Sequence, residues 1–222
     1  MIDDDHASRD LPPAWKAALA YTDHALLSPG PTPPKIKAGL DEHFDVAEQV
    51  ELGVGLGLFH GFSKMLIALG VEPGRMDTMV LETPLVRGAE APPAPAGDRY
   101  VALFGPRTDL ANRWHAMRLA LTAVDALDSR VLDAARARVA TLLGSDLGSM
   151  RHHPNPDDAA AHMLAVEIAE LFIVDVRQLA TGTAVDRFRD MWGEAALAQL
   201  VMTLAIFDGI YRYAVCKNDS AT

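Results

Sequence analysis

A small set of side chains in this sequence has the residue types that acid–base chemistry needs. His152 with Asp133 can make an imidazole–carboxylate pair across a helix hairpin, Ser145 between them can donate to an oxyanion, and Arg130 or Arg136 can hold a carboxylate. A plainer reading stands beside this one, in which a His and an Asp at helix ends cap and stay solvated. His60 lies in an otherwise apolar helical stretch, at the place that Asp208 takes in a second, similar segment. Each is either a buried polar group satisfied by a hydrogen bond or part of a pocket between helices.

Other chemistries fit the sequence less well. Cys216 is the only cysteine, so no disulfide can form within the chain, and an apolar-flanked lone cysteine reads as a small core residue. His152, His153 and His162 hint at a metal, but adjacent histidines point apart and no Cys or carboxylate cluster completes a site, so neither metal nor cofactor is expected. Gly53, Gly55, Gly57 and Gly61 do not make a phosphate loop, because no strand precedes them and Lys64 is followed by Met65. They suit close helix approach instead. A formal net charge of −10 without a block of Lys and Arg argues against nucleic acid as a partner. The N-terminus is acidic and the longest apolar runs fall short of the roughly 18 residues that a membrane span needs, so the expectation is a cytoplasmic protein with no membrane partner. His115, beside Trp114, is expected at the surface or an interface.

The elements that must position these groups read as helices. Apolar residues recur at three and four along Leu110, Trp114, Met117, Leu121, Val124 and Leu127, along Val131, Ala134, Ala135, Val139 and Leu142, and along Leu164, Ile168, Leu171, Phe172 and Val176. Val46–Leu69 and Ala195–Val215 are apolar around most of their circumference, which predicts two buried central helices. Their Phe59, Phe62, Met65, Phe207, Tyr211 and Tyr213 line a ligand cavity or are plain core. Ser28 to Pro34 is a proline-rich loop, Gly144 to Ser149 interrupts helical pattern, and Asn155-Pro156-Asp157-Asp158 reads as a helix start. Ala89 to Asp98 reads as a low-complexity, mobile linker, and Tyr100 to Phe104, like Met79 to Leu81, as extended chain.

Segments Trp15–Leu69 and Met163–Lys217 align without a gap at an offset of 148. An aromatic residue (Phe44, Trp192), a polar turn, a long apolar helix and a basic residue (Lys64, Arg212) recur in both at the same spacing. The reading is a duplicated unit. Alanine-rich apolar helix faces in such numbers also suggest self-association into a homo-oligomer.

The run from Asp45 through Leu58-Phe59-His60-Gly61-Phe62-Ser63-Lys64 to Leu69-Gly70-Val71-Glu72-Pro73 resembles the closing helix of the carboxymuconolactone decarboxylase and alkylhydroperoxidase D superfamily. Arg107 to His152 resembles that family's preceding half, and Asp157–Val215 its closing half again. The resemblance implies an all-α orthogonal helical bundle of the alkylhydroperoxidase D kind with a pseudo-repeat of the late half. Residues 1–75 would form an N-terminal half-domain, 76–106 a Pro/Ala-rich linker, 107–217 the C-terminal helical domain and 218–222 a tail. The family's Cys-x-x-Cys, with its histidine and acidic residue, falls on Ser145, Gly148, His152 and Asp133. Without sulfur there, thiol peroxidase chemistry is not expected. What remains is acid–base chemistry by His152, Asp133 and Ser145 on a small organic acid held by Arg130, Arg136 or His60. The alternative is a non-enzymatic assembly protein whose active loop has decayed.

Overall fold

The computed structural model describes residues 10–71, 91–148 and 159–217, and all regular structure among them is helical. His152, the helix start at Asn155 and the extended reading of Met79 to Leu81 lie outside the described residues.

Helices α1 (Pro13–Leu27) and α2 (Pro34–His43) form a hairpin around the proline-rich loop. Each has a proline in its first turn, where the missing amide hydrogen costs nothing. Helix α3 (Val46–Ala68) starts at a full capping box: Asp45 Oδ1 accepts from the Glu48 amide at 2.8 Å, and Glu48 Oε2 accepts from the Asp45 amide at 2.8 Å. After residues 91–100 come a single turn of helix, α4 (Val101–Phe104), and the hairpin of α5 (Thr108–Ala123) and α6 (Ser129–Leu143). The stretch expected to be extended therefore coils at residues 101–104, where Leu103 and Phe104 bury their side chains against α5 and the core. Helix α6 ends at Gly144, whose φ of 71° lets the Ser145 amide reach back to the Ala140 carbonyl at 2.8 Å. A short 3₁₀ turn, Asp146–Gly148, follows. Helices α7 (Ala159–Val174) and α8 (Val176–Thr181) lead to α9 (Ala184–Lys217), which kinks at Gly193 with φ 83°.

The core forms around α9. Leu197, Leu200, Leu204, Phe207 and Tyr211 pack against α5, α6 and α7, and Val50 and Ala68 of α3 belong to the same cluster. A smaller cluster of Tyr21, Ala25, Leu40 and Cys216 holds the α1–α2 hairpin on the end of α9. There Thr32 donates its amide (3.2 Å) and hydroxyl (2.7 Å) to the Cys216 carbonyl, one of the carbonyls that a helix end leaves without a partner.

Helices α3 and α9 cross backbone on backbone. A Cβ on Gly57 would come within 2.5 Å of the Gly209 carbonyl oxygen, and one on Gly61 would collide with the Ala205 carbonyl. By length and composition both helices could cross a membrane, but 72% of the most apolar window of α9 is buried inside the protein against 28% of that of α3. Helix α9 is the core helix of the bundle, whereas α3 shows much of its apolar surface to the outside, with Phe59 77% exposed.

Candidate functional site

The α5–α6 hairpin opens a cavity of about 670 Å³ between itself and α9, roofed by Pro95 to Tyr100. Gln199 of α9 sets the hairpin's height, donating to the Leu121 carbonyl at 2.7 Å and accepting from the Ala126 amide at 3.2 Å. The roof is docked: the Ala94 amide donates to Asn112 Oδ1 at 2.9 Å, and the Arg99 guanidinium donates to the Asp146 carbonyl. This part of the expected linker is pinned to α5 and to the 3₁₀ turn.

Two arginine–carboxylate pairs line the cavity. On α6, Arg136 donates to Asp133 Oδ1 at 2.8 Å, one helical turn away, and its guanidinium lies over the Phe207 ring at 4.3 Å. On α5, Arg118 reaches Asp98 of the roof at 3.0 and 3.3 Å and lies over Tyr100 at 4.6 Å. Guanidinium groups bond carboxylates in a planar fork and stack on aromatic faces, so both pairs fix geometry as well as charge. His115 joins the second pair, with Nδ1 3.7 Å from Asp98 Oδ2. Behind the Arg136 pair, the Tyr211 hydroxyl lies 3.4 Å from that of Tyr100. Burial first, and then Tyr100, pushes the Tyr211 phenol far above its ordinary range, so it acts as a neutral hydrogen-bonding group. Burial opposes the charge of Arg136, and the Asp133 carboxylate at 2.8 Å helps keep the guanidinium charged.

The sequence-derived candidates part company here. Asp133 and Arg136 face the cavity together. Ser145 is buried at its foot, where its hydroxyl accepts from the Leu147 amide at 3.4 Å and Leu147 carries on to the cavity wall. Arg130 pairs with Asp128 at 2.6 Å at the start of α6 and is not part of the lining. His60 belongs to a different cluster, between α3 and α9. There Asp208, with no exposed surface, takes Lys64 at 2.8 Å on one oxygen and Arg212 at 2.8 Å on the other, with His60 Nε2 at 3.6 Å. Arg212 also donates to the Ala25 and Leu26 carbonyls at 3.3 and 3.0 Å, tying this cluster to the end of α1. Cys216 lines a second, smaller cavity of about 210 Å³, where burial raises its thiol pKa and so weakens it as a nucleophile. Among the described residues no three metal-binding side chains converge.

No family model, curated protein or solved structure matches the chain. The site is therefore read from its own atoms. Sequence reasoning gave no role in a site to Arg118, Asp98 or Tyr100, and it expected His115 at the surface or an interface, whereas the structure buries most of that side chain in the cavity wall. A signal did exist for two of them: His115 and Arg118 recur with Thr122 at three and four on α5, giving that helix one polar stripe among its apolar ones, and all three line the cavity.

Proposed function

We propose that this chain is a diverged carboxymuconolactone decarboxylase-like protein of alkylhydroperoxidase D-like fold, acting by acid–base chemistry on a small organic acid in the α5–α6–α9 cavity. The carrying observation is Arg136, a charged guanidinium stacked on Phe207 in a chamber whose other walls include Leu119, Leu132, Leu147 and Tyr100. A carboxylate would find its counter-ion there and an apolar body its contacts. Arg99, Arg118 and Arg136 against Asp98 and Asp133 leave the lining one positive charge in excess, in a chain whose overall charge is −10. Such a local reversal of sign favours an anion.

The shared ancestry of the two long segments is part of the same proposal, supported by their contacts. The offset of 148 carries Gly57 to Ala205 and Gly61 to Gly209, and it is Gly57 that meets Gly209 and Gly61 that meets Ala205. The two contacts exchange under the offset, as in an isologous pair. The offset also carries Lys64 to Arg212 and His60 to Asp208, and all four meet in one cluster around the Asp208 carboxylate. Duplication of one helical unit accounts for this arrangement.

Titration calorimetry with benzoate and benzamide tests the acid-binding reading. Benzoate binds, benzamide does not, and Arg136→Gln weakens benzoate by about tenfold or more, the worth of one charge-assisted pair. Equal binding of both probes, or binding indifferent to Arg136→Gln, overturns it.

Phe59 favours a second reading, a cytoplasmic homo-oligomer assembled through α3. It is 77% exposed one turn from Gly55, beside which a Cβ would meet nothing within 4 Å, so the helix offers a knob and an open notch. Light scattering decides it: Phe59→Asp yields folded protein of half the mass or less, and an unchanged mass counts against assembly there.

A further inference from the structure

The site reading leaves His115 without a task. Within the cavity lining it is the one imidazole, buried for most of its surface, and its Nδ1 makes no hydrogen bond to any described residue although Asp98 Oδ2 is 3.7 Å away. Asp98 itself is held rigidly. It accepts the Tyr100 amide at 2.9 Å on one oxygen and spans both terminal nitrogens of Arg118. A carboxylate already paired this way is a fixed negative point beside the ring, with the position set by the roof and by α5 together.

The charged and titratable groups around the ring come from every wall. Arg118 is on its own helix, Asp98, Arg99 and Tyr100 are on the roof, and Asp133 and Arg136 are on α6, while α9 presents only Thr203 and Phe207. In the neutral form of His115 these sum to one excess positive charge, and protonation makes two.

We propose that His115 is a proton-dependent second anchor for the ligand's anion, positioned by Asp98, so that binding a carboxylate takes up a proton at this ring. The inference rests on the organic-acid reading of the cavity and gives it a chemistry: the imidazolium so formed is the group placed to return a proton to a bound acid. Histidine is suited to this because its charge ordinarily changes near neutrality, where carboxylates are already ionised. Linkage then fixes the sign. An anion that raises the proton affinity of His115 must itself bind more tightly as the pH falls.

The test is benzoate binding to the full chain by calorimetry from about pH 8 to about pH 5.5, in buffers of different ionisation enthalpy, with the His115 ring followed by NMR. The affinity rises by about fivefold or more toward low pH with uptake of up to one proton, and the ring titrates to higher pH when benzoate is present. His115→Gln binds benzoate no more tightly at low pH than at high pH, so the dependence is lost. Asp98→Asn, which removes the positioning charge but not the imidazole, moves the dependence to lower pH. A pH-independent affinity in the wild type, or a dependence that survives His115→Gln, overturns the inference and leaves the organic-acid reading intact. No benzoate binding at any pH overturns both.

Discussion

Lys64 Nζ lies 2.8 Å from Asp208 Oδ2 at the level where α3 and α9 press together, and both side chains are buried. Asp208 is the only acidic group of the cluster and serves two buried cations, since Arg212 takes its other oxygen. Breaking a buried pair from one side strands a charge, which costs about 3–5 kcal/mol. Asp208→Ala therefore lowers the unfolding free energy by at least that much, because two cations are stranded at once. Lys64→Met combined with Asp208→Asn removes one of them and leaves Arg212 an acceptor, so the double variant is more stable than Asp208→Ala. Urea unfolding orders the three proteins, and the reverse order would show that the cluster does not hold the crossing.

Glycines on α3 provide an internal comparison for the same crossing. Gly61→Ala drives a methyl into the Ala205 carbonyl, and no flexible side chain is available to move aside. The helices must separate, at a cost of several kcal/mol on the scale of overpacked cores. Gly55→Ala, two turns earlier, meets nothing and gains up to about 1 kcal/mol of helix propensity. Thermal unfolding of the two variants moves in opposite directions. A similar loss in both would mean that propensity rather than the crossing decides.

The longer helices could be read from the sequence by their three- and four-residue apolar spacing, and the break after α6 by Gly144. The capping box at Asp45 and the first-turn prolines of α1 and α2 are local signals left out of that reading, which places Pro34 in a loop. The cavity could be read only in part. Asp133 and Arg136 are one turn apart on a single helix, so their pairing follows from spacing alone. His115 meets Asp98 across 17 residues, through a roof segment whose proline- and alanine-rich composition suggests a loose linker. What fixes that segment is a single asparagine, Asn112, and a pair of arginines, and none of these shows as a pattern in sequence. The opposite fates of Phe59 and Phe207 are likewise invisible locally. They occupy matching positions on two equally apolar helices, and only the α5–α6 hairpin lying on one of them makes Phe207 core and Phe59 surface.

Placing two cysteines at Ser145 and Gly148 does not create thiol peroxidase activity. A Cβ on Gly148 collides with the Ala140 side chain and comes within 3.4 Å of the Tyr211 hydroxyl, so the position that would need a thiol is already filled. Ser145→Cys alone is tolerated, since the residue is small and buried and its hydroxyl accepts a long hydrogen bond, 3.4 Å from the Leu147 amide, that a thiol can give up. Ser145→Cys with Gly148→Cys loses stability and consumes no hydroperoxide in the presence of a dithiol reductant. Turnover dependent on both cysteines would show that the 3₁₀ turn re-forms readily around sulfur.

His60 makes the fold sensitive to acid. Burial pushes its pKa down to about 4 from the ordinary 6.5; Asp208 pulls the other way, and Arg212 and Lys64 add to the depression. The unfolded chain therefore binds a proton near pH 6.5 that the folded chain refuses until about pH 4. The contribution of His60 to stability is fully present above pH 6.5 and is lost progressively as the pH falls toward 4. The ring is partly exposed, and solvent screening reduces the effect to about 1–2 kcal/mol. His60→Asn keeps a polar group at the position without the titration. Across the same pH range its denaturation midpoint falls less than that of the wild type. Parallel curves would place the acid sensitivity of the fold in its carboxylates instead.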